Sequence, residues 1–130
     1  MRQLGIIFLL VSSLTMLSCA TTGGSRVKYI SCGVEQFEKI IQREDVVLVD
    51  VRTPEEHQAG AITSTDVNLN VRSATFFSDY KQLPKDKTIA LYCKGGGRSK
   101  QVAGVLAGNG YQVVELNSGY DGWVKYHSQK

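Results

Sequence analysis

IALYCKGGGRSKQVAGVLA, residues 89–107, is the stretch on which the fold turns. Ile89, Ala90, Leu91 and Tyr92 form an apolar run of strand length, and Val102, Val105 and Leu106 recur at helical spacing over 98–107. Between them, Cys93, Lys94, Gly95, Gly96 and Gly97 are nearly all backbone. A buried strand that passes through a short glycine turn into a helix is half of a βαβ unit, from which parallel sheets are built. In such sheets ligands bind beyond the carboxyl ends of the strands, and Cys93 stands at such an end.

The rest of the chain repeats the alternation. Gly108, Asn109 and Gly110 stop the helix, and residues 112–116 read as another strand. Upstream, Val46, Val47, Leu48 and Val49 make a continuous apolar run, the mark of a strand buried on both faces. Asp50, Val51 and Arg52 follow at its carboxyl end. Thr53 then suits an N-cap, Pro54 the first helical position, and Glu55 and Glu56 the positive end of a short helix. Val34, Phe37, Ile40 and Ile41 share one face of an earlier helix, with Ser31 expected as its cap and a strand before it at 27–30. A short strand at 67–69, an irregular helix at about 73–82 and a closing helix at 119–127 that buries Trp123 complete the pattern. These readings predict an α/β, three-layer fold with a mostly parallel central sheet flanked by helices on both faces.

The N-terminus differs in kind. One arginine precedes an uncharged, mostly apolar run at 4–17, which fits an export signal and falls short of the roughly 20 residues that span a bilayer. Ser18 and Cys19 follow, then a polar stretch, and this resembles a bacterial lipoprotein signal. The expected division is a signal peptide at 1–18, a lipidated Cys19 with a flexible tether at 19–26, and one folded domain at 27–130. The lipid would anchor that domain to a membrane, outside the cytoplasm.

With Cys19 so assigned, Cys32 and Cys93 remain. A disulfide between them is the simplest use of two thiols in an oxidising compartment, yet it explains neither the glycines nor Arg98. Cys32 as a resolving thiol is the other possibility. The net charge of +3 is spread along the chain, without the clustered basic patch that nucleic-acid binding requires. No cysteine or histidine spacing suggests a metal site.

The glycine loop suggests its own chemistry. Side chains absent from the turn let the amide N–H groups of residues 94–98 converge, and with the helix N-terminus they form an anion cradle. A sulfur at its centre is stabilised as a thiolate, with Lys94 and Arg98 adding positive charge. Cys93 therefore reads as an activated nucleophile. Four residues separate Cys93 from Arg98, one fewer than in the signature of cysteine phosphatases. The shorter loop makes a tighter pocket, better matched to a terminal sulfur atom than to phosphate.

At this point the sequence resembles the rhodanese-like, single-domain sulfurtransferases. Val49, Asp50, Val51 and Arg52 followed by Glu55 and Glu56 are similar to one family segment. Cys93 through Ser99 is similar to its active-site loop, and Gly110, Tyr111, Leu116, Ser118, Gly119 and Trp123 to its closing segment. Residues 60–65 lack the family's usual His, Pro and second Gly, and Ser118 replaces a glycine, which touches loop shape rather than chemistry.

The resemblance implies transfer of a sulfane sulfur from a small anion such as thiosulfate, or from a persulfide, through a Cys93 persulfide to cyanide, a thiol or a protein. It implies no metal or organic cofactor, and a monomer is expected. Lys94, Gly95, Gly96, Gly97, Arg98 and Ser99 would form the loop, with Asp50 and Arg52 as its scaffold. Arg98 either binds the donor or braces the loop against Asp50 or another acid, the brace being favoured. His57 and His127 read as surface residues and Tyr92 as a packing aromatic. A non-catalytic binding or sensory module is the alternative, and a cysteine phosphatase or arsenate reductase a third.

Overall fold

The computed structural model describes residues 28–130, in the order β1 Ile30–Cys32, α1 Val34–Ile40, β2 Val46–Asp50, α2 Pro54–Ala59, β3 Val67–Asn68, α3 Phe76–Asp79, β4 Thr88–Tyr92, α4 Gly97–Gly108, β5 Gln112–Leu116 and α5 Gly119–Ser128. The signal segment, Cys19 and the tether lie outside the described residues. The five strands form one sheet in the order β1-β5-β4-β2-β3, and every neighbouring pair is parallel. The expected α/β architecture is therefore the one observed.

Alternation along the strands divides two cores. Val49, Ile89, Leu91 and Val113 face α3 and α4, where Phe76, Val102 and Leu106 pack on them. Leu48, Ala90, Tyr92, Val114 and Leu116 face the other way, against Phe37 of α1 and the partly buried Tyr120, Trp123 and Tyr126 of α5. Each large apolar side chain so buried contributes roughly 1.5–3 kcal/mol. The short α2 holds its start by a capping box: Thr53 Oγ1 accepts from Glu56 N, and Thr53 N donates back to Glu56 Oε2, with Pro54 at the first position.

Two local expectations are corrected. The first strand lies at 30–32 rather than 27–30, because its partner residues Val114, Glu115 and Leu116 fix its register. Ser31 is consequently a strand residue, and Gly33 takes the N-cap position of α1. The Ser31 hydroxyl donates to Glu115 across the sheet instead. Trp123 is half-buried against the α1 side of the core.

Candidate active site

The site is built where β4 ends and α4 begins. Cys93 is buried one residue past β4, and the chain turns over it through Lys94, Gly95 and Gly96. Gly96 N–H donates to Cys93 Sγ at 3.0 Å, and the sulfur lies 3.5 Å from Ser99 Oγ. Burial pushes the thiol up, but the hydrogen bonds around the sulfur, those of the Ser99, Gly96 and Gly95 amides among them, outweigh it, so Cys93 ionises below the ordinary thiol value.

Only one of the three glycines is demanded by backbone geometry. Gly96 has φ +100°, and a Cβ there would run into the carbonyl oxygen of Asn117. At Gly95 and Gly97 a Cβ would meet open space. The first turn of α5 fastens the loop from outside: Tyr120 N–H donates to Cys93 O at 2.8 Å and Asp121 N–H to Lys94 O at 3.0 Å.

The charged residues form pairs around this loop. Arg98 pairs with Glu56 and not with Asp50: Nη1 donates to Oε2 at 2.7 Å and Nη2 to Oε1 at 2.8 Å. The Arg98 hydrogen bonds hold the Glu56 carboxyl down at about 2. Asp50 is unavailable to Arg98 because it is fully buried and already bound. It accepts from Arg52 Nε at 2.9 Å, Arg52 Nη2 at 2.7 Å and His57 Nδ1 at 2.9 Å. Burial pushes the Asp50 carboxyl up, and these bonds more than reverse it.

Arg52 also donates from Nη2 to Gly60 O at 2.7 Å, and its guanidinium lies 4.5 Å from the Tyr120 ring centre. That arrangement ties the ends of β2, α2 and α5 together. Lys94 pairs in solvent with Asp121 at 2.7 Å. Neither loop cation is left free.

Both histidines are more engaged than a surface reading allows. His57 serves Asp50, as above. His127 donates from Nε2 to Glu38 at 2.8 Å and from Nδ1 to Trp123 O at 2.9 Å, and the Glu38 bond raises its pKa. Neither contacts Cys93. Tyr92 is buried, with its hydroxyl bound to Ile62 N and Thr65 Oγ1, and burial pushes it up to about 12, which leaves it a packing residue.

Cys32 is a free, buried thiol in the α1 core, whereas Cys93 belongs to the α4 core. Strand β5 lies between β1 and β4. Two strand spacings of about 4.8 Å each exceed the reach of a disulfide, so the Cys32–Cys93 bridge and the resolving role both fail in this fold.

Three groups escaped the sequence reading. Glu56 is visible there as a helix-start acid and as part of the family-like segment but not as the partner of Arg98, although its T-x-x-E spacing marks a capping box. The Tyr120 and Asp121 amides carry no sequence signal. Glu115 is the third, a carboxylate within the strand run Val113, Val114, Glu115, Leu116; one acid amid buried strand residues is itself the signal.

A cleft of about 230 Å³ opens beside the loop, lined in part by Arg52, Glu56, Lys94, Tyr120 and Asp121. Larger clefts of about 710 Å³ and about 760 Å³ lie between α1 and α5 and beside β1, and no cysteine lines any of the three. Among the described residues no group of three His, Cys, Asp or Glu is placed to hold a metal ion.

The site defines a class: parallel α/β proteins with a cysteine in a backbone-amide loop at the start of a helix. The rhodanese-like domain model matches residues 33–126. A sulfurtransferase of Allochromatium vinosum is 32% identical over 90 residues, which are 68% of this chain and 81% of that protein. The thiosulfate sulfurtransferase GlpE of Pseudoalteromonas translucida is 31% identical over 104 residues, 79% of this chain and 94% of that protein. A tRNA uridine(34) hydroxylase of Legionella pneumophila is 31% identical over 90 residues, 65% of this chain but only 35% of that longer protein. Among solved structures, a rhodanese-related protein from Thermoplasma volcanium superposes with a TM-score of 0.67 at 26% identity, covering 75% of this chain and 93% of that one. The chain belongs to the rhodanese-like family.

Proposed function

We propose that this protein is a sulfurtransferase that carries a sulfane sulfur on Cys93. The observation that carries the reading is the sulfur held under the Gly96 amide at 3.0 Å, at the N-terminus of α4. In the loading step the Cys93 thiolate attacks the outer sulfur of thiosulfate or of an organic persulfide. A bond forms between the two sulfurs, and the donor's own S–S bond breaks with its electron pair, leaving sulfite or a thiolate. The negative charge then sits on the new terminal sulfur, where the loop amides and the helix end stabilise it. A thiol, a protein thiolate or cyanide attacks that sulfur in turn and returns Cys93 as thiolate. The two relatives named as sulfurtransferases support this reading.

The pairing of Arg98 weighs against phosphate chemistry. A phosphate ester needs an arginine fork free to grip its oxygens, and here Glu56 occupies both arms of the fork. A terminal sulfur needs no such grip.

The test is the mass of the Cys93 peptide after incubation of the purified chain with thiosulfate and, separately, with an alkyl persulfide. The expected result is a gain of one sulfur atom, removed by cyanide and absent from Cys93→Ser. Loading of the Cys93→Ser chain, or no loading from either donor on a folded chain, overturns the proposal.

A further inference from the structure

One fully buried carboxylate takes no part in the chemistry above. Glu115 lies in β5 on the face covered by α4. A buried carboxylate costs several kcal/mol unless its oxygens are bonded, so its partners are informative. Its Oε2 accepts from Ser99 Oγ at 2.9 Å, and its Oε1 from Ser31 Oγ of β1. Lys100 Nζ stands 3.4 Å from Oε1 and is the partly exposed cation of the group. The Ser99 hydroxyl thus joins Glu115 on one side to Cys93 Sγ, 3.5 Å away, on the other.

That hydroxyl has one proton and three acceptors in reach: the Glu115 carboxylate, Gly96 O at 3.1 Å and the sulfur of an ionised Cys93. We propose that Glu115 is a positioning residue for Cys93: it holds the Ser99 proton, turns the hydroxyl oxygen toward the sulfur, and so withholds a donor from the thiolate. The backbone amides then carry the charge of the sulfur alone, and the Glu115 charge opposes it through space.

This rests on Cys93 as the sulfur-carrying nucleophile and adds an asymmetry to it. In the free enzyme the negative charge is on Sγ, beside Ser99. After loading, Sγ is neutral and the charge has moved one bond outward to the terminal sulfur. Glu115 therefore raises the resting thiolate in energy more than the persulfide and favours loading. A thiolate stabilised less is also the better nucleophile once formed.

The charged and titratable groups facing this relay come from four elements and the loop. Cys32 of β1 has its thiol pushed up by burial and by the Glu115 charge. Lys100 of α4 partly offsets Glu115. Arg98 of α4 feels the Cys93 charge but is held by Glu56 of α2, and Lys94 of the loop is held by Asp121 of α5.

The experiment is the rate of iodoacetamide alkylation at the Cys93 peptide against pH, in the full chain, with folding checked by circular dichroism. In Glu115→Gln the midpoint moves to lower pH, and each unit of that movement slows the fully ionised thiolate about threefold. In Lys100→Met the midpoint moves to higher pH. Ser99→Ala raises the midpoint little in the native background and clearly in the Glu115→Gln background, where the amide N–H can donate to the hydroxyl oxygen and turn its proton toward the sulfur. A Glu115→Gln midpoint that stays or rises, or a Ser99→Ala effect equal in both backgrounds, overturns the inference. Should Glu115→Gln not fold, an unmoved midpoint in Lys100→Met overturns it instead. Alkylation needs no sulfur donor, so failed loading and a failed relay are separate outcomes.

Discussion

Glu56 shows how much a single side chain can hold. Its Oε2 accepts from Thr53 N at 3.1 Å, from Thr53 Oγ1 at 3.2 Å and from Arg98 Nη1 at 2.7 Å, so it caps α2 and anchors the start of α4 together. Its folded pKa of about 2 is below the ordinary 4.5. A depressed carboxylate contributes stability that is complete above the ordinary value and lost as pH falls through the folded one. The chain should therefore lose about 1–2 kcal/mol from this group between about pH 4.5 and 2, after allowance for solvent screening. Urea denaturation over that range measures it, with Glu56→Gln lacking this component; an identical acid limb in both proteins would remove the ion pair from the stability account. The capping half of this arrangement is legible as T-x-x-E. The Arg98 half is not, because the partners are 42 residues apart and meet only when β2 and β4 lie side by side.

At the scale of the element, the three loop glycines look equivalent in sequence and are not equivalent in space. Gly96 must be left-handed and must pass close to Asn117, whereas Gly95 and Gly97 face open space. Gly96→Ala should cost about 2 kcal/mol or more, from the left-handed strain and the displaced backbone, and should slow Cys93 alkylation at neutral pH. Gly97→Ala, in the first turn of a helix, should stay within about 1 kcal/mol of the native chain and keep a reactive Cys93. Urea midpoints and alkylation rates of the two variants decide it, and equal losses at both positions would refute the assignment. The strand–loop–helix pattern was readable because period and glycine content are local. The first strand slipped from its expected place because its register is set by β5, a long-range partner that no local window contains.

Across the whole molecule, the sheet order separates the two cysteines onto opposite layers. Both should be alkylated after unfolding without reductant, and the melting temperature should be the same with and without reductant. A reductant-dependent melting temperature, with Cys32 and Cys93 joined in one peptide pair, would contradict the topology. The α/β class and both helical layers could be read from alternation alone. The strand order could not, because it depends on which crossover each helix makes.

That order also has a consequence in time. Among the described residues the first strand, β1, pairs only with the fifth, β5, and the loop over Cys93 is fastened by Tyr120 and Asp121, which follow β5. During synthesis a partial chain has its cysteine but neither the Glu115 relay nor the α5 fastening. The loop over Cys93 therefore gains its outer fastening only when Tyr120 and Asp121 of α5 have docked on it.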